Sequence, residues 1–246
     1  SNSLLLRLRG HCCAQYSCLG SCWISGAHSL SWLMERMDYR RKPTSCHPPF
    51  CEIVGGETDS TSAGYLQPYA QVEWDSAGAP RSPEYGDIYW NPDQGVEEKR
   101  HVFLAANKLR ERWKERKVSF SILELGFGFG LNCLLSAQLW QTCRAKPGTI
   151  LNFISIEKHP VDVRSLKKLY ATLEDEQLKT LASELIDAYP EATRGTHLIW
   201  LSDNICLTLV LGADVTALKE LQHRVDAIFL DGFSPGKNAR MWNAEL

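Results

Sequence analysis

The feature that most constrains this chain is a set of short aliphatic runs without a polar face: 121–125, 151–156 and the VDAIFL run that leads into Asp231. A strand half-exposed to water alternates apolar and polar residues; a strand that does not alternate must be covered on both faces. These runs are interleaved with segments of helical period over 131–141, 161–173 and 176–188. Strand alternating with helix, with burial on both sides, predicts an α/β fold built on a parallel sheet with flanking helices. Two further runs, THLIWL and ICLTLVLG, meet at the turn SDN and read as a hairpin, and a helix is expected over 216–221 before the last strand.

Ahead of this core, LQPYAQVEWDSAGAPRSPEYGDIYW carries a Gly-Ala-Pro turn between two aromatic-bearing segments, which reads as a β-hairpin. A helix follows over 97–116, with Val102, Ala105 or Ala106, Leu109 and Trp113 on one face. Its other face mixes acids with Lys99, Arg100, Lys108, Arg110, Arg112 and Lys114, and reads as a solvated surface. Residues 1–64 differ in composition: they show no sustained period and hold six of the nine cysteines. Cys12, Cys13, Cys18, Cys22, Cys46 and Cys51 do not form paired C-x-x-C spacings, so no metal site is expected there. The chain therefore divides into an irregular leader, 1–64, and a domain, 65–246. With a net charge of -2 and no long apolar run, it reads as a cytoplasmic protein whose contact with any polyanion must be local.

LELGFGFGLNCL places Gly126, Gly128 and Gly130 at the end of the first core strand, where a helix begins. Ligands of such sheets sit beyond the carboxyl ends of the strands, and backbone without Cβ atoms can bend sharply and approach them closely. The dinucleotide fingerprint G-x-G-x-x-G puts its third glycine where this chain has Leu131, so a pyrophosphate cofactor loses its support. A G-x-G-x-G loop preceded by an acid, Glu124, suits a cofactor with an adenosine and an amino-acid tail. Glu157, ending FISIE, can accept both hydroxyls of a ribose; alone it reads equally well as a surface carboxylate, and the glycine loop favours the ribose. Asp231, after Ala227 to Leu230 and before Gly232, puts a second carboxylate at the rim of the same crevice.

Taken in order, DIYWNPDQGVEEKRHVFL, LELGFGFGLN, FISIEKHP and VDAIFLDGFSPGKNARMW resemble the methyltransferase part of the MnmC family, which finishes 5-methylaminomethyl-2-thiouridine in tRNA. The resemblance implies a class I, Rossmann-like, S-adenosyl-L-methionine-dependent methyltransferase acting on the aminomethyl group of a wobble uridine. It implies cofactor contacts from Glu124, Gly126, Phe127, Gly128, Gly130, Asn132, Glu157, Lys158, Asp214 and Asp231. Asp231 would be catalytic, and Gly232, Phe233, Ser234, Pro235 and Lys237 would meet the substrate. Phe127, Phe233 and Trp242 are aromatic candidates for excluding water or stacking on the base, although each alone reads as core. The family also implies tRNA as partner, with a flavin-dependent oxidase either C-terminal or separate.

Three departures from the family pattern stand out. The adenine-side acid falls at Asp214 after an inserted Ala213, Phe129 stands where a small hydroxyl residue is usual, and the sequence stops at MWNAEL, which would leave the last strand with an open edge. Two other functional classes compete: a flavin-linked oxidoreductase, disfavoured because no second glycine fingerprint is present, and a non-catalytic remnant that binds cofactor or RNA weakly.

Overall fold

A computed structural model describes residues 66–91, 94–115, 118–143, 147–212, 224–234 and 236–238. The leader 1–64, the helix expected over 216–221, and Asp214, Pro235 and Trp242 lie outside the described residues. The core is a five-stranded sheet of β4 (Phe120–Leu125), β5 (Leu151–Glu157), β6 (Gly195–Ser202), β7 (Ile205–Leu211) and β8 (Ala227–Leu230). The strand order is β6-β7-β5-β4-β8. Strands β7, β5, β4 and β8 run parallel, and β6 pairs antiparallel with β7 as the hairpin reading requires. The sheet is thus mostly, not wholly, parallel. Because β5 lies on one side of β4 and β8 on the other, strand order reverses at β4, which opens a crevice at the carboxyl ends of these strands.

Burial follows the sequence logic. Every residue of β7 is buried, and β4 is buried at all but Ser121. Helix α3 (Leu131–Thr142) is apolar nearly all round and correspondingly buried on most of its surface, packing against α5 (Glu176–Ala188). Helix α4 (Val163–Tyr170) and α5 are amphipathic, each started by an aspartate whose carboxylate accepts a free backbone N–H: Asp162 from Ser165 and Asp175 from Leu178, both at 3.0 Å. Among the described residues β8 is an edge strand, with Ile228 and Leu230 exposed.

Two expectations need correction. The segment read as one helix over 97–116 is α1 (Gly95–Lys99), a π-helical turn (Arg100–Ala105) and α2 (Leu109–Glu115). The wider π turn and the left-handed Lys108 (φ 52°) reset the helical phase, so Val102 and Ala105 face water while Leu104, Leu109 and Trp113 are buried. Trp113 fills the space between Phe120 and Trp140, edge-on to both at 5.5 and 5.1 Å. The basic face is also not simply solvated: Arg112 donates to the carbonyl of Asp226 and lies over the Phe120 ring, and Arg100 bridges Glu97 and Gln138.

The expected hairpin is instead a small three-stranded antiparallel sheet, β1 (Glu73–Trp74), β2 (Pro80–Ser82) and β3 (Asp87–Ile88). The second reversal, at Gly86 with φ 59°, escapes a reading that looks only for the Gly-Ala-Pro turn. The small sheet is pinned beside the crevice at two places. Asp87 pairs with Lys237 at 3.2 Å, and Lys237 also donates to the carbonyl of Gly86. On the other flank Lys168 of α4 sits 4.0 Å from the centre of the Trp74 ring.

Candidate active site

The tips of β4, β5 and β8 and the small sheet enclose a cavity of about 330 Å³. Of the residues named from the sequence, Gly126, Phe127, Gly128, Glu157, Lys158, Asp231, Gly232 and Phe233 all line it. Glu124, Gly130 and Asn132 do not; they lie behind the wall. Ser234 and Lys237 are likewise outside the lining and face the small sheet, the Ser234 N–H and the Lys237 ammonium both reaching Asp87.

The glycine loop shows why side chains are absent there. Gly126, Gly128 and Gly130 all have left-handed φ, 87°, 51° and 70°, which residues bearing a Cβ adopt only with strain. Gly130 opens α3, and a Cβ on it would stand 2.5 Å from the Phe127 ring. A Cβ on Gly128 would meet only Tyr89, at 3.5 Å, so it would occupy the cavity side of the loop. Phe127 packs inward, stacked with Tyr189 at 6.3 Å. Phe129 contributes to the cavity wall while lying edge-on to Trp74 and Tyr89, so it ties the loop to the small sheet.

Glu157 holds the loop. One carboxylate oxygen accepts the Gly128 N–H and the other the His159 N–H, both at 2.9 Å. A carboxylate offers about four acceptor positions, so both oxygens keep capacity for hydroxyl donors. Burial raises the Glu157 carboxyl above its ordinary range, while those two N–H groups work to keep it ionised.

Asp231 heads a polar chain that runs behind the cavity wall. The Asn132 amide gives one N–H to Asp231 at 2.7 Å and another to Glu124 at 2.9 Å, and Ser155 donates to the second Glu124 oxygen at 2.7 Å. Asn132 leaves its own buried Oδ1 without a partner, so bridging the two carboxyls is what its orientation serves. Burial, then the nearby Asp231 charge, push Glu124 up to about 8, so it is largely a neutral acid at neutral pH. Glu124, read as a cofactor contact, instead acts on the site through Asn132.

The largest departure from the sequence reading is Lys99. Its ammonium lies on both carboxylate oxygens of Asp231, with the side chain 17% exposed, and 5.2 Å from the Phe103 ring centre. The aromatic group at the mouth was only partly foreseen: Phe233 stacks on Tyr85 at 4.6 Å and meets Tyr89 edge-on at 5.0 Å. Burial, reinforced by the Glu157 charge, pushes the Tyr89 phenol up to about 12, so it stays neutral. Lys99 and Tyr89 both fall within DIYWNPDQGVEEKRHVFL, and the signal that would have found Lys99 is Asp231 itself, a partly buried carboxylate that needs a cation. Among the described residues no group of three His, Cys, Asp or Glu side chains could hold a metal, and no helix is long and apolar enough to cross a membrane.

A glycine bend, a strand-tip acid on each side of it and a crevice at the point of strand reversal define an α/β domain of the class I methyltransferase fold. Over residues 176–246 the chain matches a family model described as S-adenosyl-L-methionine-dependent methyltransferase. Within that class the chain is MnmC-like. It is similar to the tRNA 5-methylaminomethyl-2-thiouridine biosynthesis bifunctional protein MnmC of Pseudomonas syringae pv. syringae, with 39% identity over 72% of this chain and 27% of that protein. The same protein of Paraburkholderia phytofirmans is 41% identical over 67% of this chain and 25% of its own length, and that of Maricaulis maris 38% over 73% and 30%. The chain thus spans about a quarter of the length of the curated relatives it matches. Among solved structures, MNMC2 from Aquifex aeolicus shares the fold, with a TM-score of 0.53 and 24% identity over 72% of this chain and 54% of that one.

Proposed function

We propose that this chain is an S-adenosylmethionine-dependent N-methyltransferase that converts the aminomethyl group of a modified wobble uridine in tRNA to methylaminomethyl, working in the cytoplasm alongside a flavin-dependent oxidase. The observation that carries the reading is the placement of Glu157 and Asp231 on one cavity, on either side of the Gly126–Gly130 bend. When bound, the cofactor would supply a methyl group on a sulfonium, electrophilic enough for the lone pair of an amine; Glu157 and the Gly126–Gly128 bend would hold the donor, and Asp231 the acceptor amine.

The protein's part in this reaction is mainly placement. Glu157 receives the ribose hydroxyls on the acceptor positions its two backbone N–H bonds leave open. The left-handed bend at Gly126 and Gly128 admits the amino-acid tail. Asp231 accepts an N–H of the amine and fixes the direction of its lone pair. Tyr85, Tyr89 and Phe233 offer flat apolar faces to the uracil and exclude water.

The test is methyl transfer from labelled cofactor into RNA carrying an aminomethyl wobble uridine, with Asp231→Ala as the control. Transfer is expected from the native chain and is abolished by the substitution, while calorimetric cofactor affinity stays within a few-fold. No transfer by the native chain, or equal loss of affinity and transfer in the variant, refutes the assignment.

A further inference from the structure

An ammonium has no lone pair, so an acceptor amine held by a bare carboxylate is held in its unreactive form: the negative charge raises the amine's affinity for its proton. Asp231 is not bare. Lys99 covers both of its oxygens and Asn132 one of them, so of about four acceptor positions on the carboxylate a single one, on Oδ1, remains open. One open position suits one N–H of a neutral amine; an ammonium brings three donors and a like charge beside Lys99. Resting on the reading of Asp231 as the amine's partner, we propose that Lys99 is a positioning residue that cancels the Asp231 charge, so that the acceptor amine docks deprotonated with its lone pair free.

The surrounding charges leave this pair in control. Arg100, the next residue, turns away to Glu97 and Gln138. Glu124 is hydrogen-bonded to the pair through Asn132 and feels the charges of both Asp231 and Lys99. At the β5 tip, Glu157 is tied to the N–H groups of Gly128 and His159, with Lys158 and His159 beside it on the cavity. From the small sheet come Glu84, Tyr85 and Tyr89, together with Asp87, which Lys237 neutralises. None of these lies on Asp231 as Lys99 does.

The experiment uses an RNA hairpin with a ¹⁵N-labelled aminomethyl wobble uridine and the native, Lys99→Met and Lys99→Arg chains. The pH dependence of kcat reports the ionisation of the bound amine, and a ¹⁵N NMR titration of the RNA bound with S-adenosylhomocysteine reads the same ionisation without turnover. Lys99→Met is expected to move both midpoints up by about 1–2 pH units, and Lys99→Arg to leave them in place. Lys99→Gln replaces the Met variant if melting shows the latter unfolded. Transfer by the native chain with midpoints unmoved in a folded, uncharged variant overturns the role of Lys99 alone. Absence of transfer by the native chain at every pH overturns the reading beneath it.

Discussion

Gly130 and Gly128 sit two residues apart with similar left-handed φ, 70° and 51°, yet alanine at the two places should have different consequences. The left-handed backbone costs a residue with a Cβ about 1–2 kcal/mol at either site. At Gly128 little is added, because the nearest atom to a new Cβ is Tyr89 Cδ1 at 3.5 Å, an ordinary contact. At Gly130 three atoms of the Phe127 ring lie at 2.5, 3.0 and 3.2 Å, and that ring is 3% exposed and stacked on Tyr189, so it has little room to withdraw. Forcing a methyl into such packing adds about 1–3 kcal/mol. The shared backbone cost cancels in the comparison, so Gly130→Ala should be less stable than Gly128→Ala by about 1–3 kcal/mol. Urea denaturation with unchanged m-values reads this as a lower midpoint. Cofactor titration should show the opposite ranking: Gly128→Val blocks binding by filling the cavity side of the loop, whereas the folded fraction of Gly130→Ala still binds. Equal stabilities, or native affinity in Gly128→Val, would refute the division between a glycine that makes room for Phe127 and one that makes room for a ligand.

Two further outcomes concern the polar chain and the helix starts. Glu124 has a folded value of about 8 against its ordinary 4.5, so the folded state holds that proton more tightly; its contribution is complete below pH 4.5 and is lost as pH rises through 8. Glu124→Gln, neutral at every pH, should therefore flatten that decline and be the more stable form by pH 9, by on the order of 5 kcal/mol in denaturant titrations; parallel curves for the two proteins would show that folding does not raise Glu124. Asp162→Ala removes the carboxylate that accepts the Ser165 N–H and hydroxyl, and should cost about 1 kcal/mol by the same measurement. A change near zero would mean that water caps α4 equally well.

The core of the domain was legible because its signals are local. Runs such as 151–156 lack a polar face whatever else the chain does, and α5 falls on the residues its apolar period marks, Glu176–Ala188. The segment over 97–116 was not legible in the same way. Its apolar spacing fits a continuous helix, and only packing of Phe103 on Phe229, at 5.2 Å, and of Trp113 on Trp140 shows where the phase must break. Lys237 was legible only as a substrate candidate implied by the family resemblance; that the small sheet presents Asp87 and the Gly86 carbonyl within its reach is visible only in the fold.

By itself, the sequence determined that β4 ends in a glycine bend, that carboxylates stand at the tips of β5 and β8, and that all of them open on one crevice. Strand-tip position in a mostly parallel sheet follows from chain order, so no long-range contact had to be known. The tertiary structure alone decided the electrostatic state of that crevice: Lys99 on Asp231 across 132 residues, and Asn132 joining Asp231 to a Glu124 kept protonated by burial. Charge pairing and desolvation depend on which side chains meet and how much water is left between them, and neither is written in the spacing of residues along the chain.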